Sequence, residues 1–478
     1  MTSTSARDFL FVEYVSTRGA APVLGFADAL LTGLARDGGL YTPLTLPEWP
    51  PEAIRGLRGL PYADAAVRVM SAFVGGEFGA DELESVTGAA YAGFRHAAKA
   101  PLVQIESNLF ALELFHGPTL AFKDFAMQWL GRAMNRVLAR RGARATILGA
   151  TSGDTGAAAI EAFGGEPQTE VYILYPYGRV SDVQRRQMTT VGKPNVHTLA
   201  IEGTFDDCQR IVKDLFGDLA LREEMSLSGV NSINWARILA QIVYYFVAAA
   251  ALGAPDRPVS FSVPTGNFGD VLAGYYAKRM GLPIERLMIA TNDNAILARA
   301  LASGRYEPRG VKATQSPSMD IQVSSNFERL LFEASDRRPE AVRALMGDLA
   351  ADRRFVIPAD TLERIRADFS AERVDETACT AEMARIYRES GLHVDPHSAV
   401  GLVAGRRLLA AAPAAPVIAL GTAHPAKFPD AVERATGVRP QLPPHLGDLM
   451  DREETIVVLP KDRNAVADYL RQTARAPA

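Results

Sequence analysis

From about residue 97 the chain repeats one pattern: a short apolar run, a loop of small residues, then a helical run. Ala145-Thr146-Ile147-Leu148-Gly149-Ala150 leads into Thr151-Ser152-Gly153-Asp154-Thr155-Gly156 and an alanine-rich stretch. Val259-Ser260-Phe261-Ser262-Val263 leads into Pro264-Thr265-Gly266-Asn267-Phe268-Gly269-Asp270, with a helix predicted over 271–280. Val417-Ile418-Ala419-Leu420 leads into Gly421-Thr422-Ala423-His424-Pro425. Such alternation predicts an α/β fold with a mainly parallel sheet. Loops at the carboxyl ends of its strands are where ligands bind. Further strands are expected at 171–175, 196–201 and 287–290, and helices at 204–221 and 235–252.

The chain has 478 residues, more than one compact core accommodates. Residues 1–96 read as an N-terminal α+β domain. Within it Phe9-Leu10-Phe11-Val12-Glu13-Tyr14-Val15 is strand-like, and helices are expected over 26–34, 62–74 and 80–94. Residues 97–440 form the core, with a charged helical insertion at about 326–390, and 441–478 are a C-terminal extension. The net charge is -4 with no long block of one sign, which argues against nucleic acid or an anionic membrane as main partner. The longest apolar run, 242–252, is too short to cross a bilayer and reads as a buried helix. No basic-then-apolar leader opens the sequence. Cys208 and Cys379 are isolated, compatible with a reducing, cytoplasmic setting.

One lysine stands out. Lys123 lies in His116-Gly117-Pro118-Thr119-Leu120-Ala121-Phe122-Lys123-Asp124-Phe125, in the first turn of a predicted helix. Burial and nearby positive charge would lower its pKa and free a neutral amine. Phe122 and Phe125 are expected to keep it dry. Gly266-Asn267-Phe268-Gly269 reads as a phosphate cradle at a helix N-terminus. Taken alone, it is better explained as a tight strand-to-helix turn. Thr151 to Gly156 suits a carboxylate or phosphate, or a capping arrangement with Ser152 or Asp154 as N-cap. Asn231-Ser232-Ile233-Asn234-Trp235-Ala236-Arg237 offers an anion clamp in Arg237, or a capped helix start. Asp395-Pro396 in His393-Val394-Asp395-Pro396-His397 is an N-cap and first helical residue rather than a metal site. No metal motif and no serine-hydrolase elbow occurs. A lysine, a phosphate cradle about 140 residues later and further anion-holding loops suggest pyridoxal 5'-phosphate.

The sequence also resembles the threonine synthases, in their longer, N-terminally extended branch. The likeness runs through Ser16-Thr17-Arg18-Gly19, Asp37-Gly38-Gly39-Leu40-Tyr41, the segment from His116 to Asp124, Ala150 to Gly156, Asn231 to Arg237, Gly266 to Asp270, Ser318-Met319-Asp320-Ile321 and Thr422-Ala423-His424-Pro425-Ala426-Lys427-Phe428. The resemblance implies a fold type II pyridoxal-phosphate enzyme, tryptophan-synthase-β-like, with two α/β subdomains beside the N-terminal domain. It implies conversion of O-phospho-L-homoserine and water to L-threonine and phosphate by γ-elimination and β-addition. By the same resemblance Lys123 is the Schiff-base lysine, acid and base. Gly266, Asn267, Phe268, Gly269 and Asp270 bind the cofactor phosphate, and Thr422 the ring nitrogen. Asp154 stands where many relatives carry an asparagine near the cofactor. Thr151, Ser152, Thr155, Asn231, Ser232 and Arg237 match positions that hold the substrate's carboxylate or phosphate. A monomer or homodimer is expected. A lyase that eliminates without adding water, and a non-catalytic pyridoxal-phosphate binder, are the competing readings. Product analysis separates the first, and absence of turnover the second.

Overall fold

The computed structural model describes residues 12–229 and 231–474. Two open sheets organise them. The larger has six strands in the order β13-β10-β9-β14-β4-β3: Phe369–Arg373, Ile284–Thr291, Val259–Pro264, Val417–Gly421, Leu109–Glu113 and Leu102–Glu106. Only β3 runs antiparallel to its neighbour. The smaller has the order β15-β7-β6-β5-β8: Val457–Pro460, Val196–Glu202, Thr169–Pro176, Ala145–Ala150 and Leu227–Ser228, all parallel. Strands β6, β9 and β14 are buried at every residue. Parallel strands covered by helices on both faces must be apolar throughout, and this is why continuous apolar runs mark them. The α/β class expected from sequence is therefore the one found.

Two short antiparallel pairs complete the strands: β1 (Tyr14–Ser16) with β2 (Tyr41–Pro43), and β11 (Arg305–Tyr306) with β12 (Phe355–Val356). Of the N-terminal strand expected over 9–15, residues 9–11 lie outside the described residues. The helices Tyr62–Val74 and Ala80–Ala92 fall where apolar spacing predicts them. Their buried faces join one hydrophobic cluster that continues into the residues around the two sheets. Tyr14 donates to the Phe73 carbonyl at 2.7 Å, and its ring lies 6.0 Å from that of Trp235. Arg329, fully buried, donates to the carbonyls of Tyr41 and Ile233 and so ties N-terminal segment, insertion and core together.

Three stretches differ from expectation. The helix expected over 204–221 breaks at Asp218, whose backbone is extended and whose side chain caps a second helix, Leu219–Glu224. The 326–390 segment is not wholly helical: β13 pairs with β10 and forms an edge of the larger sheet. The C-terminal extension adds β15 to the smaller sheet and packs the helix Arg463–Thr473 beside it.

The Lys123 helix (Lys123–Arg140) packs against the Asp154 helix (Asp154–Phe163), with close backbone approach at Gly131. Gly131 makes this possible, because a Cβ there would lie 2.5 Å from the Ala162 carbonyl oxygen. Lys123 and Asp154 both lie at the N-termini of these two helices.

Candidate active site

The turn before Lys123 is built by its own sequence. The buried Asp124 carboxylate reaches back to accept from the Thr119 hydroxyl at 2.6 Å and the Thr119 N–H at 2.8 Å. Gly117 is required beneath it, since a Cβ would lie 2.4 Å from Asp124 Oδ2. Leu120 is held at φ 63°, a left-handed conformation costing a branched side chain about 1–3 kcal/mol. The segment is then clipped to the end of β14: the Phe122 N–H donates to the Thr422 carbonyl at 2.9 Å, and the His424 N–H to the Leu120 carbonyl at 3.0 Å. Lys123 and Thr422, 299 positions apart, thus share one rigid antiparallel bridge.

Lys123 Nζ lies 3.3 Å from Asp154 Oδ2 and 4.8 Å from the centre of the Phe122 ring. Burial is the largest influence on the Lys123 ammonium and lowers its pKa. Lys427 and Arg237 push the same way, and Asp154 opposes them. Asp154 responds oppositely. Burial raises its pKa, but Lys427, Lys123, His397 and the Gln184 hydrogen bond together hold it well below the usual carboxylate range. Phe125 does not help to dry Lys123: its ring packs among Tyr62, Tyr91, Phe94 and Tyr244 in the core.

At the second loop, β9 ends at Pro264 and the helix Gly269–Arg279 begins, with Phe268 as N-cap. Phe268 is left-handed (φ 66°, ψ 2°), and no side chain caps the helix. The Asp270 carboxylate turns to the Tyr244 and Tyr245 hydroxyls, at 2.6 and 2.9 Å. Burial raises Asp270 to about 6 despite those bonds. The first turn is thereby anchored through Asp270 to the helix that carries Tyr244 and Tyr245.

One cavity collects these parts. Lys123, Asp154, Gly266, Asn267, Phe268, Gly269, Asp270 and Thr422 all line it, together with Thr155, Ser232 and Arg237. Arg237 is buried, which lowers its guanidinium to about 10 and leaves it charged at neutral pH. Thr151, Ser152 and Asn231 do not line the cavity. Instead Thr151 Oγ1 accepts the N–H groups of Gly153 and Gly156 at 2.9 and 2.8 Å, holding the turn before the Asp154 helix. Neither Ser152 nor Asp154 caps that helix; Gly153 is its N-cap. Asn234 caps the Arg237 helix by accepting from the Ala236 N–H at 3.0 Å. An amine, a strand-end hydroxyl and an uncapped glycine-loop helix on one cavity fit an aldehyde-bearing, phosphorylated ring.

Four residues that sequence reasoning gave no role also reach this site. Ser318 Oγ donates to Asp154 Oδ2 at 3.2 Å, and Gln184 Nε2 to Oδ1 at 2.9 Å. His397 lines the cavity; its Nε2 accepts from the Ser318 N–H at 3.2 Å and its Nδ1 faces Asp395 Oδ1 at 2.8 Å. Asp395 is the N-cap of Pro396–Ala411, as its Asp-Pro pair predicts. Lys427 is the fourth, 3.0 Å from Asp154 Oδ1. Ser318 and Lys427 belong to motifs visible in the sequence, whereas Gln184 carries no such signal. Beyond the Lys123 segment, His116, His393, His424 and His445 line a separate cleft of about 630 Å³. Among the described residues no three His, Cys, Asp or Glu side chains are grouped so as to hold a metal.

Family comparisons agree along the chain. Residues 13–91 match the threonine synthase N-terminal model, 94–422 the pyridoxal-phosphate-dependent enzyme model, and 398–470 the threonine synthase C-terminal model. The chain is 50% identical to the threonine synthase of Pseudomonas aeruginosa over 462 residues, covering 96% of this chain and 98% of that one. The crystal structure of pyridoxal-phosphate-bound threonine synthase from Brucella melitensis superposes with a TM-score of 0.95 at 59% identity, covering 97% of this chain and 100% of that one. The yeast threonine synthase structure does so at 0.91 and 40%, covering 96% and 98%. A match that runs in three segments from residue 13 to residue 470 has one meaning: the chain belongs to the threonine synthase family of pyridoxal-phosphate-dependent enzymes.

Proposed function

We propose that the chain converts O-phospho-L-homoserine and water to L-threonine and phosphate with pyridoxal phosphate as cofactor. The reading rests on one observation: the Lys123 amine, the uncapped glycine-loop helix, Thr422 and the Arg237 guanidinium line the same cavity. When bound, the cofactor supplies an aldehyde for covalent attachment of an amino group and a ring that stabilises negative charge on the adjoining carbon.

The chain's residues divide the remaining work. Lys123 is the attachment point. Gly266 to Gly269 bind the phosphate through backbone N–H groups at the positive end of a helix dipole. Asp270 fixes the first turn of that helix. Thr422 meets the ring nitrogen with a hydroxyl, which, unlike a carboxylate, does not compel protonation there. The freed Lys123 Nζ would accept the Cα proton and give it up again before accepting one from Cβ; phosphate leaves from Cγ, water adds its hydroxyl at Cβ, and Lys123 would return a proton to Cα as threonine forms. Its lowered proton affinity suits both directions of transfer. Phe122 excludes water from that nitrogen. Arg237, Ser232 and Thr155 bind the substrate's anionic groups, with Thr151, Ser152 and Asn231 as their supporting loops.

The test is phosphate release and threonine formation from O-phosphohomoserine. Formation of 2-oxobutanoate without threonine rejects the synthase reading in favour of a simple eliminating lyase. Lys123→Ala is expected to lose about 10³-fold or more in kcat; near-normal turnover removes the lysine from its role. Arg237→Ala should raise KM while cofactor content stays unchanged, and loss of cofactor would reassign the arginine. We further assign the chain to the cytoplasm, as a monomer or homodimer without nucleic-acid partners, in two subdomains beside an N-terminal domain. Buried free Cys208 and Cys379 and the modest net charge support this. Light scattering that reports a larger assembly would reject the stated oligomeric range.

A further inference from the structure

Lys427 takes no part in the steps above, yet its side chain is fully buried. An ammonium has three N–H donors and no acceptor. Lys427 Nζ meets three acceptors: the Thr119 carbonyl at 2.6 Å, Gln187 Oε1 at 2.9 Å and Asp154 Oδ1 at 3.0 Å. Two of these contacts are hydrogen bonds and the third is an ion pair, so the ammonium is held in place from three sides. The same Asp154 carboxylate also faces Lys123, 3.3 Å away on its other oxygen. One buried anion is therefore shared by two lysines, and its shorter contact goes to the lysine with no chemical task.

We propose that Lys427 is a positioning residue for the reaction: by sharing Asp154 it prevents the carboxylate from holding Lys123 as a permanent ammonium. This rests on Lys123 being the reacting amine of the proposed function. The sharing has two consequences. While Lys123 is charged, Lys427 offsets the pull of Asp154 on its proton. While Lys123 is neutral, the pair with Lys427 still holds the Asp154 carboxylate in place. The other charged groups acting on Lys123 and Asp154 are Arg237 from the helix Trp235–Ala251, Asp270 from the helix Gly269–Arg279 and His397 from the helix Pro396–Ala411. None of them bridges the two residues as Lys427 does, since Lys427 is tied to the Lys123 turn through Thr119 as well as to Asp154.

The sign follows from the charge. Without Lys427 the Lys123 nitrogen binds its proton more tightly, so the acid limb of the kcat profile moves to higher pH. For Lys427→Met the expected displacement is about one pH unit, a tenfold loss of kcat on the acid side of the profile that alkaline pH recovers. Lys427→Arg should retain the wild-type limb. Independently of turnover, the visible band of substrate-free holoenzyme at roughly 410–420 nm should persist to higher pH in Lys427→Met than in wild type. Asp154→Asn should move the band titration to lower pH.

An equal loss of kcat at every pH, a band titration identical to wild type, or an arginine variant displaced as far as the methionine variant would each overturn the proposal. Should Lys427→Met fail to fold, Lys427→Gln supplies an uncharged polar donor on the same side of the cavity, and the same criteria apply to it. Lys123→Ala holoenzyme separates the two readings. A band that survives in it rejects Lys123 as the attachment point, whereas a failure confined to the Lys427 variants leaves the proposed function intact.

Discussion

Two loops at this cavity share one grammar and have opposite chemistry. After β5, Thr151 to Gly156 turns into a helix; after β9, Gly266 to Gly269 does the same. The first loop is satisfied from within: Thr151 accepts two of its N–H groups, and Asp154 brings its own negative charge to the helix start. Lys123, Lys427, Ser318 and Gln184 then saturate that carboxylate. The second loop has no side-chain cap and holds Phe268 in a strained left-handed conformation. The second helix also has an acidic residue in its first turn, but the Asp270 carboxylate accepts from the Tyr244 and Tyr245 hydroxyls and not from the loop's own N–H groups. The Lys123 helix is intermediate, with no cap at its N-cap residue but with Asp124 folded back over Thr119.

Substitutions at the three loop ends sharpen the contrast. The largest effect belongs to Gly266→Val. A Cβ there would meet the Ser318 carbonyl oxygen at 2.9 Å and Ile321 Cδ1 at 3.0 Å, so the loop must shift. Cofactor affinity should fall about 100-fold, equivalent to about 2.7 kcal/mol, measured by titrating pyridoxal phosphate into the stripped protein. Unchanged affinity would mean that the open helix end is not the phosphate site.

Asp124→Asn comes next and is read as stability against pH. Burial raises Asp124 from 3.8 to about 6. Between those values the folded state binds a proton that the unfolded state has released, so this group's contribution to stability declines as pH rises through the window. The decline amounts to roughly 3 kcal/mol when complete. Asparagine cannot ionise, so denaturation midpoints of the variant should lose that part of the slope. Parallel wild-type and variant curves would show that Asp124 titrates normally. Thr151→Val has the smallest effect, about 1–2 kcal/mol of stability from two lost N–H bonds, with KM for substrate nearly unchanged. A large rise in KM would return Thr151 to the substrate's contact set.

How far the sequence discloses this molecule depends on what each residue answers to. Strand β5 and the helix Tyr62–Val74 are legible to the residue because local periodicity and burial coincide there. Asp218 is missed because its break depends on one side chain capping within an otherwise helical apolar pattern. Strand β13 has one buried residue in five and lies at a sheet edge, so its apolar signal is weak. At the cavity, the glycine loop and Lys123 are visible as chemistry, but the partition of Asp154 between two lysines is not. Lys427 approaches from 273 positions further along the chain, and no local pattern encodes that distance. Phe122 and Phe125 look equivalent in sequence; helix geometry sends one over Lys123 and the other into the aromatic core.

The bridge between Ala121 and Ala423 also sets a schedule for biosynthesis. Lys123 leaves the ribosome long before the segment that clips its turn in place. At about 5–20 residues per second, the 299 positions separating Lys123 from Thr422 take roughly 15–60 s to translate. Throughout that interval the nascent chain carries Lys123 without the strand end that fixes its turn. The cavity is closed only after β14 has been made, so a truncated chain that stops before β14 contains the lysine but lacks the strand end that fixes its turn.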